Sequence, residues 1–198
     1  MRVVGGKWGG RALRAPRGTS VRPTSDKVRE AIFGILGERV EGATVLDLFA
    51  GTGAMAIEAL SRGAAGAVLV EPSAIAFAAL KSNLASLGAT GPTCVPADYR
   101  KALRRLAAGG MRFTLVFLDP PYGKGLVGRS AAEIERCGVL AAGALVVAER
   151  AARDPDETFP PGWSTIADRR YGDTRVTLCE VPRPGGTAAP GRTAKEAG

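Results

Sequence analysis

Asp119-Pro120-Pro121-Tyr122 places a carboxylate, two rigid carbonyls and a flat ring within four residues. Proline has no backbone N–H and a fixed φ, so the pair ends the apolar run from Phe113 to Leu118. It holds the chain in an extended turn whose carbonyls stay free to accept hydrogen bonds. Acceptors beside an aromatic face suit a planar heterocycle carrying an amino group. The turn therefore reads as a nucleobase pocket, with Asp119 and the Pro120 carbonyl as acceptors and Tyr122 stacking on the ring. The same residues also suit a plain strand-ending loop with a capping Asp and a packed Tyr, and a second motif has to decide.

That motif is Val45-Leu46-Asp47-Leu48-Phe49-Ala50-Gly51-Thr52-Gly53-Ala54, a strand running through a glycine turn into a helix. Such glycines let the backbone turn tightly and let a ligand come close. Gly51 to Ala56 also satisfies the G-x-G-x-x-A pattern of nicotinamide cofactors, but Asp47 would then set a carboxylate against a pyrophosphate. A cofactor with an amino group and a sulfonium would welcome it. Glu71 ends the next strand 18 residues past Gly53, where an acid can take ribose hydroxyls. Asp98, with Tyr99 beside it, ends the third strand and can accept from an adenine amine. Asp47, Glu71, Asp98 and Asp119 thus close four successive strands, and S-adenosylmethionine fits all four.

What the chain lacks narrows the chemistry further. It has no histidine, and Cys94, Cys137 and Cys179 lie far apart, so zinc ligand sets and Ser-His or Cys-His nucleophile pairs are excluded. Direct transfer without a metal is expected, with buried, reduced thiols.

These residues need a scaffold, and the sequence alternates strand and helix from Thr44 onward. The pattern predicts strands at 44–49, 67–71, 93–96, 113–118 and 144–149. Helices are predicted at 54–61, 73–87, 99–107 and about 129–137. Such alternation argues a mostly parallel sheet covered on both faces. The runs 163–170 and 174–181, joined at Tyr171-Gly172-Asp173, predict a closing antiparallel pair. Thr24 or Ser25 can cap a helix reaching about Leu36, with Val28, Ala31, Ile32, Ile35 and Leu36 as its apolar stripe and Lys27, Arg29 and Glu30 facing elsewhere. The chain divides into a basic arm with a docking helix (1–40), a main domain (41–182) and a tail (183–198) expected to be disordered.

The chain has 198 residues, 45% of them hydrophobic, enough for one buried core. No apolar stretch reaches membrane-spanning length and the first residues lack a signal-peptide core, so a cytoplasmic location is expected. The net charge of +8 is uneven: residues 1–30 carry eight Lys/Arg against Asp26 and Glu30, while 31–181 carry 16 of each sign. A neutral body with a basic arm points to a polyanion gripped from one end. In the arm, Lys7, Trp8 and Arg11 can lie along phosphates and stack on a base, or Trp8 can simply staple the arm to the body.

With L-D-L-F-A-G-T-G at 46–53, Glu71, Asp98 and D-P-P-Y at 119–122, the chain resembles S-adenosylmethionine-dependent amino-methyltransferases. G-G-K-W-G-G-R-A-L at 5–13, R-P-T-S-D-K-V-R-E-A-I-F at 22–33 and Y-G-D-T at 171–174 further resemble the bacterial 16S ribosomal RNA (guanine-N2)-methyltransferases, from residue 2 to about 181. The resemblance implies an α/β, Rossmann-like class I methyltransferase: a mostly parallel seven-stranded sheet with an antiparallel last strand and a small N-terminal hairpin and helix. It implies a cofactor site of Asp47, Phe49, Ala50, Gly51, Gly53, Glu71, Pro72, Asp98, Tyr99 and Asp119. Asp119, Pro120 and Tyr122 would be catalytic. Lys7, Trp8, Arg11, Arg22, Thr24, Arg29, Tyr122 and Lys124 would meet the substrate, 16S rRNA or a part-assembled small subunit, with the protein acting as a monomer. A DNA amino-methylase, a nicotinamide oxidoreductase and a non-catalytic RNA-binding assembly factor are the competing readings.

Overall fold

A computed structural model of the chain describes residues 1–15 and 25–182. Its seven strands are β1 (Thr44–Asp47), β2 (Gly66–Val70), β3 (Thr93–Val95), β4 (Phe113–Leu118), β5 (Leu140–Ala151), β6 (Ser164–Tyr171) and β7 (Thr174–Glu180). They form one sheet in the order β3-β2-β1-β4-β5-β7-β6. β1 to β5 are parallel, and β7 runs antiparallel to both neighbours. This is the class I methyltransferase topology that the sequence predicts. β5 starts four residues earlier than expected, and a register shift between Phe113 and Leu115 accommodates the added length.

Among the described residues five α-helices cover the sheet: α1 (Asp26–Leu36), α2 (Ala54–Ser61), α3 (Ala74–Ser86), α4 (Tyr99–Ala108) and α5 (Leu126–Cys137). Local signals start three of them. The side chains of Ser25, Ser73 and Asp98 accept from Val28, Ala76 and Arg100 N–H, which satisfies donors that a helix start leaves open. α1 to α3 pack on one face, where Ile32, Phe33, Ile57 and Leu80 meet Val45, Leu115 and Phe117. α4 and α5 pack on the other, where Leu103, Val127 and Ile134 meet Leu46, Val116 and Val146. Each wholly buried side chain of this size contributes about 1.5–3 kcal/mol, so the two layers fix the sheet that carries the loops.

The N-terminal arm does not stand off the body. Val3 and Leu13 are buried in the α1–α3 core. Val3 N–H donates to Arg11 and Leu13 N–H to Met1 across a tight loop, bridged at Arg2 and Ala12. Glu58 of α2 anchors the arm. It is wholly buried, accepts from Val4 and Gly5 N–H at 2.7 and 2.8 Å, and pairs with Arg62 at 2.8 Å and Arg29 at 3.5 Å.

This overturns the expected orientation of Arg29. Its side chain is buried, not turned outward, with the guanidinium committed to Asp26 at 2.8 Å, to Glu58 and to the Arg2 carbonyl. A buried acid on α2 draws it inward, because a charge leaves water only where it is paired, so it does not present itself to phosphates. Arg22 and Thr24, also expected at the substrate, fall outside the described residues.

Gly6 sets how closely the arm docks. It has φ of +74°, and a Cβ there would lie 1.9 Å from the Ser61 carbonyl oxygen. Gly6→Ala should therefore lift the arm from α2, lowering the melting temperature and exposing residues 1–15 to protease. A variant with wild-type melting and wild-type resistance would show that the close approach does not hold the arm.

Candidate active site

Strand register brings the two motifs together. Asp47 of β1 pairs with Leu69 of β2 and Phe117 of β4, and Val70 of β2 pairs with Val95 of β3. Leu48 N–H donates to the Phe117 carbonyl at 3.1 Å and Ala50 N–H to the Val70 carbonyl at 2.9 Å. The glycine turn, Glu71, Asp98 and Asp119 accordingly leave the same carboxyl edge of the sheet, on adjacent strands. In open α/β sheets ligands bind in the crevice outside this edge.

The two glycines of the turn do different work. Both have positive φ, +54° at Gly51 and +84° at Gly53. A Cβ on Gly53 would meet Ile57, Leu69 and Leu80 at 3.3–3.4 Å, so Gly53 lets α2 pack on the sheet. A Cβ on Gly51 would meet nothing within 4 Å, so the backbone there is open on that side. Glu71 spans the turn, accepting from Gly51 N–H at 2.8 Å and Ser73 N–H at 2.7 Å. Each carboxylate oxygen keeps a lone pair for a further donor, as ribose hydroxyls require. Pro72 beside it is exposed. Asn83, 1% exposed, holds the turn from below: its amide donates to the Thr52 carbonyl and to the Arg14 carbonyl, both at 3.0 Å, and its oxygen accepts from Arg14 N–H. The arm and the turn thus share one side chain.

Asp98 caps α4 through Arg100 N–H at 2.9 Å and is itself exposed. The Tyr99 ring is buried against Phe49, with centroids 5.4 Å apart, so the two rings close the apolar side of the crevice. Asp47 ends β1 and is buried beneath the turn, with Ala56 N–H on its carboxylate at 3.2 Å. Burial is the largest influence on its carboxyl and pushes the pKa up to about 7; hydrogen bonds from Ala56 and Phe49 oppose this, and the Glu71 charge adds to it.

A pH dependence follows from Asp47. The folded carboxyl keeps its proton up to about pH 7, whereas the unfolded one releases it in the ordinary range near 3.8. Its contribution to stability is whole below the lower value and is lost as pH rises through the upper one. Asp47→Asn should therefore gain stability relative to wild type between about pH 4 and pH 7. Melting temperatures of both proteins across that range test this, and a pH-independent difference would contradict it.

At the second motif, Pro120 is buried, Asp119 half-buried and Tyr122 37% exposed. The Tyr122 hydroxyl donates to Glu149 of β5 at 2.7 Å and lies 3.5 Å from the Thr174 hydroxyl of β7. Burial, then the Glu149 charge, holds the phenol well above its usual range, so it stays a protonated donor and its ring is fixed at the edge. Gly123 N–H donates to Asp154 at 2.9 Å, pinning the far side of the loop. Glu149, Asp154 and Thr174 are not among the expected site residues, although Glu149 ends an apolar strand and Thr174 closes the Y-G-D-T motif.

The expected substrate residues are dispersed. Lys7 lies over the Trp8 ring, 4.4 Å from its centroid, and Trp8 packs partly on the core. Arg11 is exposed but donates to the Ser86 carbonyl at 2.7 Å. Lys124 is exposed beside the D-P-P-Y loop.

Known proteins share this architecture. The Escherichia coli (strain K12) protein named ribosomal RNA small subunit methyltransferase D is 38% identical over 178 residues, 90% of this chain and 88% of that protein. The solved structure of the Escherichia coli protein yhhF superposes with a TM-score of 0.81 at 34% identity, covering 92% of this chain and 98% of that one. SMU.776, solved in complex with SAH, shares the fold at a TM-score of 0.64 and 16% identity, over 81% of this chain and 50% of that one. The family model described as Conserved hypothetical protein 95 matches residues 1–180, and the chain belongs to that family.

Proposed function

We propose that this chain transfers a methyl group from S-adenosylmethionine to the exocyclic N2 amine of a guanine in small-subunit ribosomal RNA. The observation that carries the reading is the β1–β4 register. It sets a glycine turn open to a ligand beside a D-P-P-Y turn rich in acceptors. The name of the 38% identical relative supports ribosomal RNA of the small subunit as substrate.

When bound, the cofactor supplies an electrophilic methyl on a sulfonium that leaves readily, so no covalent enzyme intermediate is required. Gly51, Glu71 and Asp98 would hold it at the edge, and Phe49 and Pro72 would give it apolar contact. A guanine amine is a weak nucleophile because its lone pair is delocalised into the ring. Asp119 and the Pro120 carbonyl accept its two hydrogens, which favours a pyramidal nitrogen with a directed lone pair, and the Tyr122 ring stacks on the base; once the methyl is on the nitrogen, its surplus proton leaves to Asp119 or to water. Glu149 and Thr174 keep that ring in place. The target base has to leave its stack to reach this edge.

The test is to incubate the protein with labelled cofactor and unmodified small-subunit RNA, with and without ribosomal proteins, beside duplex DNA. N2-methylguanine at one RNA position is the expected product. Label on DNA alone, or none on any substrate, would contradict the reading.

A further inference from the structure

The count of 16 charges of each sign in residues 31–181 conceals a surface with more bases than acids, unevenly distributed. Asp47, Glu58, Glu71 and Glu149 are buried, whereas Arg150 is the only buried base of that stretch among the described residues. Four acids are internal against one base, which leaves the outside of this stretch modestly basic. Their densest grouping is on α4, where Arg100, Lys101, Arg104 and Arg105 are all exposed while Tyr99, Ala102, Leu103 and Leu106 face the core. At 3.6 residues per turn the four share one face about 140° wide. α4 itself holds no acidic residue.

Nearby acids do not neutralise this face. Among the described residues none of the four bases forms an ion pair within 4.0 Å. Glu133 of the neighbouring α5 is bound to Arg136, whose hydrogen bond is the first cause of its lowered pKa, with Arg104 and Arg100 adding to the effect. Glu135 accepts from the Trp163 indole at 3.1 Å. Arg129, in the first turn of α5 just after the D-P-P-Y loop, is exposed.

Position gives the face its meaning. α4 begins at Asp98, on the carboxyl edge of the sheet, and runs back over the face opposite the arm. Arg100 sits against Tyr99, its guanidinium 5.1 Å from the ring. Lys101, Arg104 and Arg105 follow within about 8 Å of helix axis.

We propose that the exposed face of α4, extended by Arg129, is a phosphate-binding surface for the RNA strand that enters the crevice, on the side of the sheet away from the N-terminal arm. This rests on the ribosomal RNA methyltransferase reading and names the surface that reading lacks. RNA then straddles the edge: the arm flanks it on one side, α4 on the other, and the chemistry lies between.

The experiment compares wild type with Lys101→Gln/Arg104→Gln/Arg105→Gln and with the charge-keeping Lys101→Arg/Arg104→Lys/Arg105→Lys. Glutamine keeps helix propensity, and all three positions are exposed. Small-subunit RNA binding is measured from 50 to 300 mM salt, with cofactor affinity and melting temperature as controls. Three lost phosphate contacts should make the log–log salt slope shallower by about 2 and weaken binding about tenfold or more at 150 mM. Cofactor affinity and melting should not move, and the charge-keeping variant should bind as wild type does. Wild-type slope and affinity in the glutamine variant, with an active wild-type enzyme, would overturn the α4 surface alone. A wild type that binds cofactor but neither binds nor methylates the RNA would overturn the functional reading, and this surface with it.

Discussion

Methyl transfer by an Asp119→Ala variant should fall by about 10²–10³-fold or more, the usual loss when one preorganised electrostatic group at a reacting centre is removed. Asp119 leaves β4 at the edge it shares with the glycine turn, half-buried and followed by a proline pair that cannot fold back into the sheet. On the proposed reading, its carboxylate is offered to the amine from a turn that the strand itself holds. The alanine variant loses an acceptor, not a strand, because β4 itself is fixed by pairing on both sides. Single-turnover rates with labelled cofactor should collapse while RNA affinity stays within a few-fold of wild type. Near-normal turnover would remove Asp119 from the chemistry.

The largest effect on stability should come from Glu58→Ala. Glu58 and Arg29 are both wholly buried, and the acid also receives Val4 N–H, Gly5 N–H and Arg62. Removing one partner of a buried ion pair costs about 3–5 kcal/mol where the other is left unpaired; Arg29 keeps Asp26 and the Arg2 carbonyl, so the loss should lie toward the lower end of that range. Two arm amides lose their acceptor as well. Denaturant unfolding should show the loss, and proteolysis should release residues 1–15 before the sheet opens. Glu58→Gln, which keeps an acceptor oxygen, should be milder. An alanine variant within 1 kcal/mol of wild type would mean that Glu58 is not what anchors the arm.

The sequence was most legible where structure is local. Strands of Val and Leu that alternate with capped helices encode a parallel sheet, because each βα unit is specified within some 30 residues, and Ser25, Ser73 and Asp98 mark helix starts by their own chemistry. The shared edge of Gly51 and Asp119 follows from parallel pairing alone. Contacts between distant residues were illegible. Periodicity places Arg29 beside Lys27 and Glu30 on an outward face, yet a carboxylate 29 positions later reverses it. The Tyr122 hydroxyl finds Glu149 and Thr174 on strands 27 and 52 residues away, and no local pattern announces such pairs. Charge counting likewise made the body neutral, because it cannot distinguish a buried Glu58 from an exposed Arg104.

The central claim is that the turn at Gly51 and the turn at Asp119 frame one site, and a crystal structure with S-adenosylhomocysteine tests it most directly. The account predicts ribose hydroxyls on Glu71, adenine beside Asp98, and the sulfur between the Gly51 turn and the Asp119-Pro120 carbonyls. Ligand bound at the opposite edge of the sheet, or with its sulfur pointing away from Asp119, would contradict it.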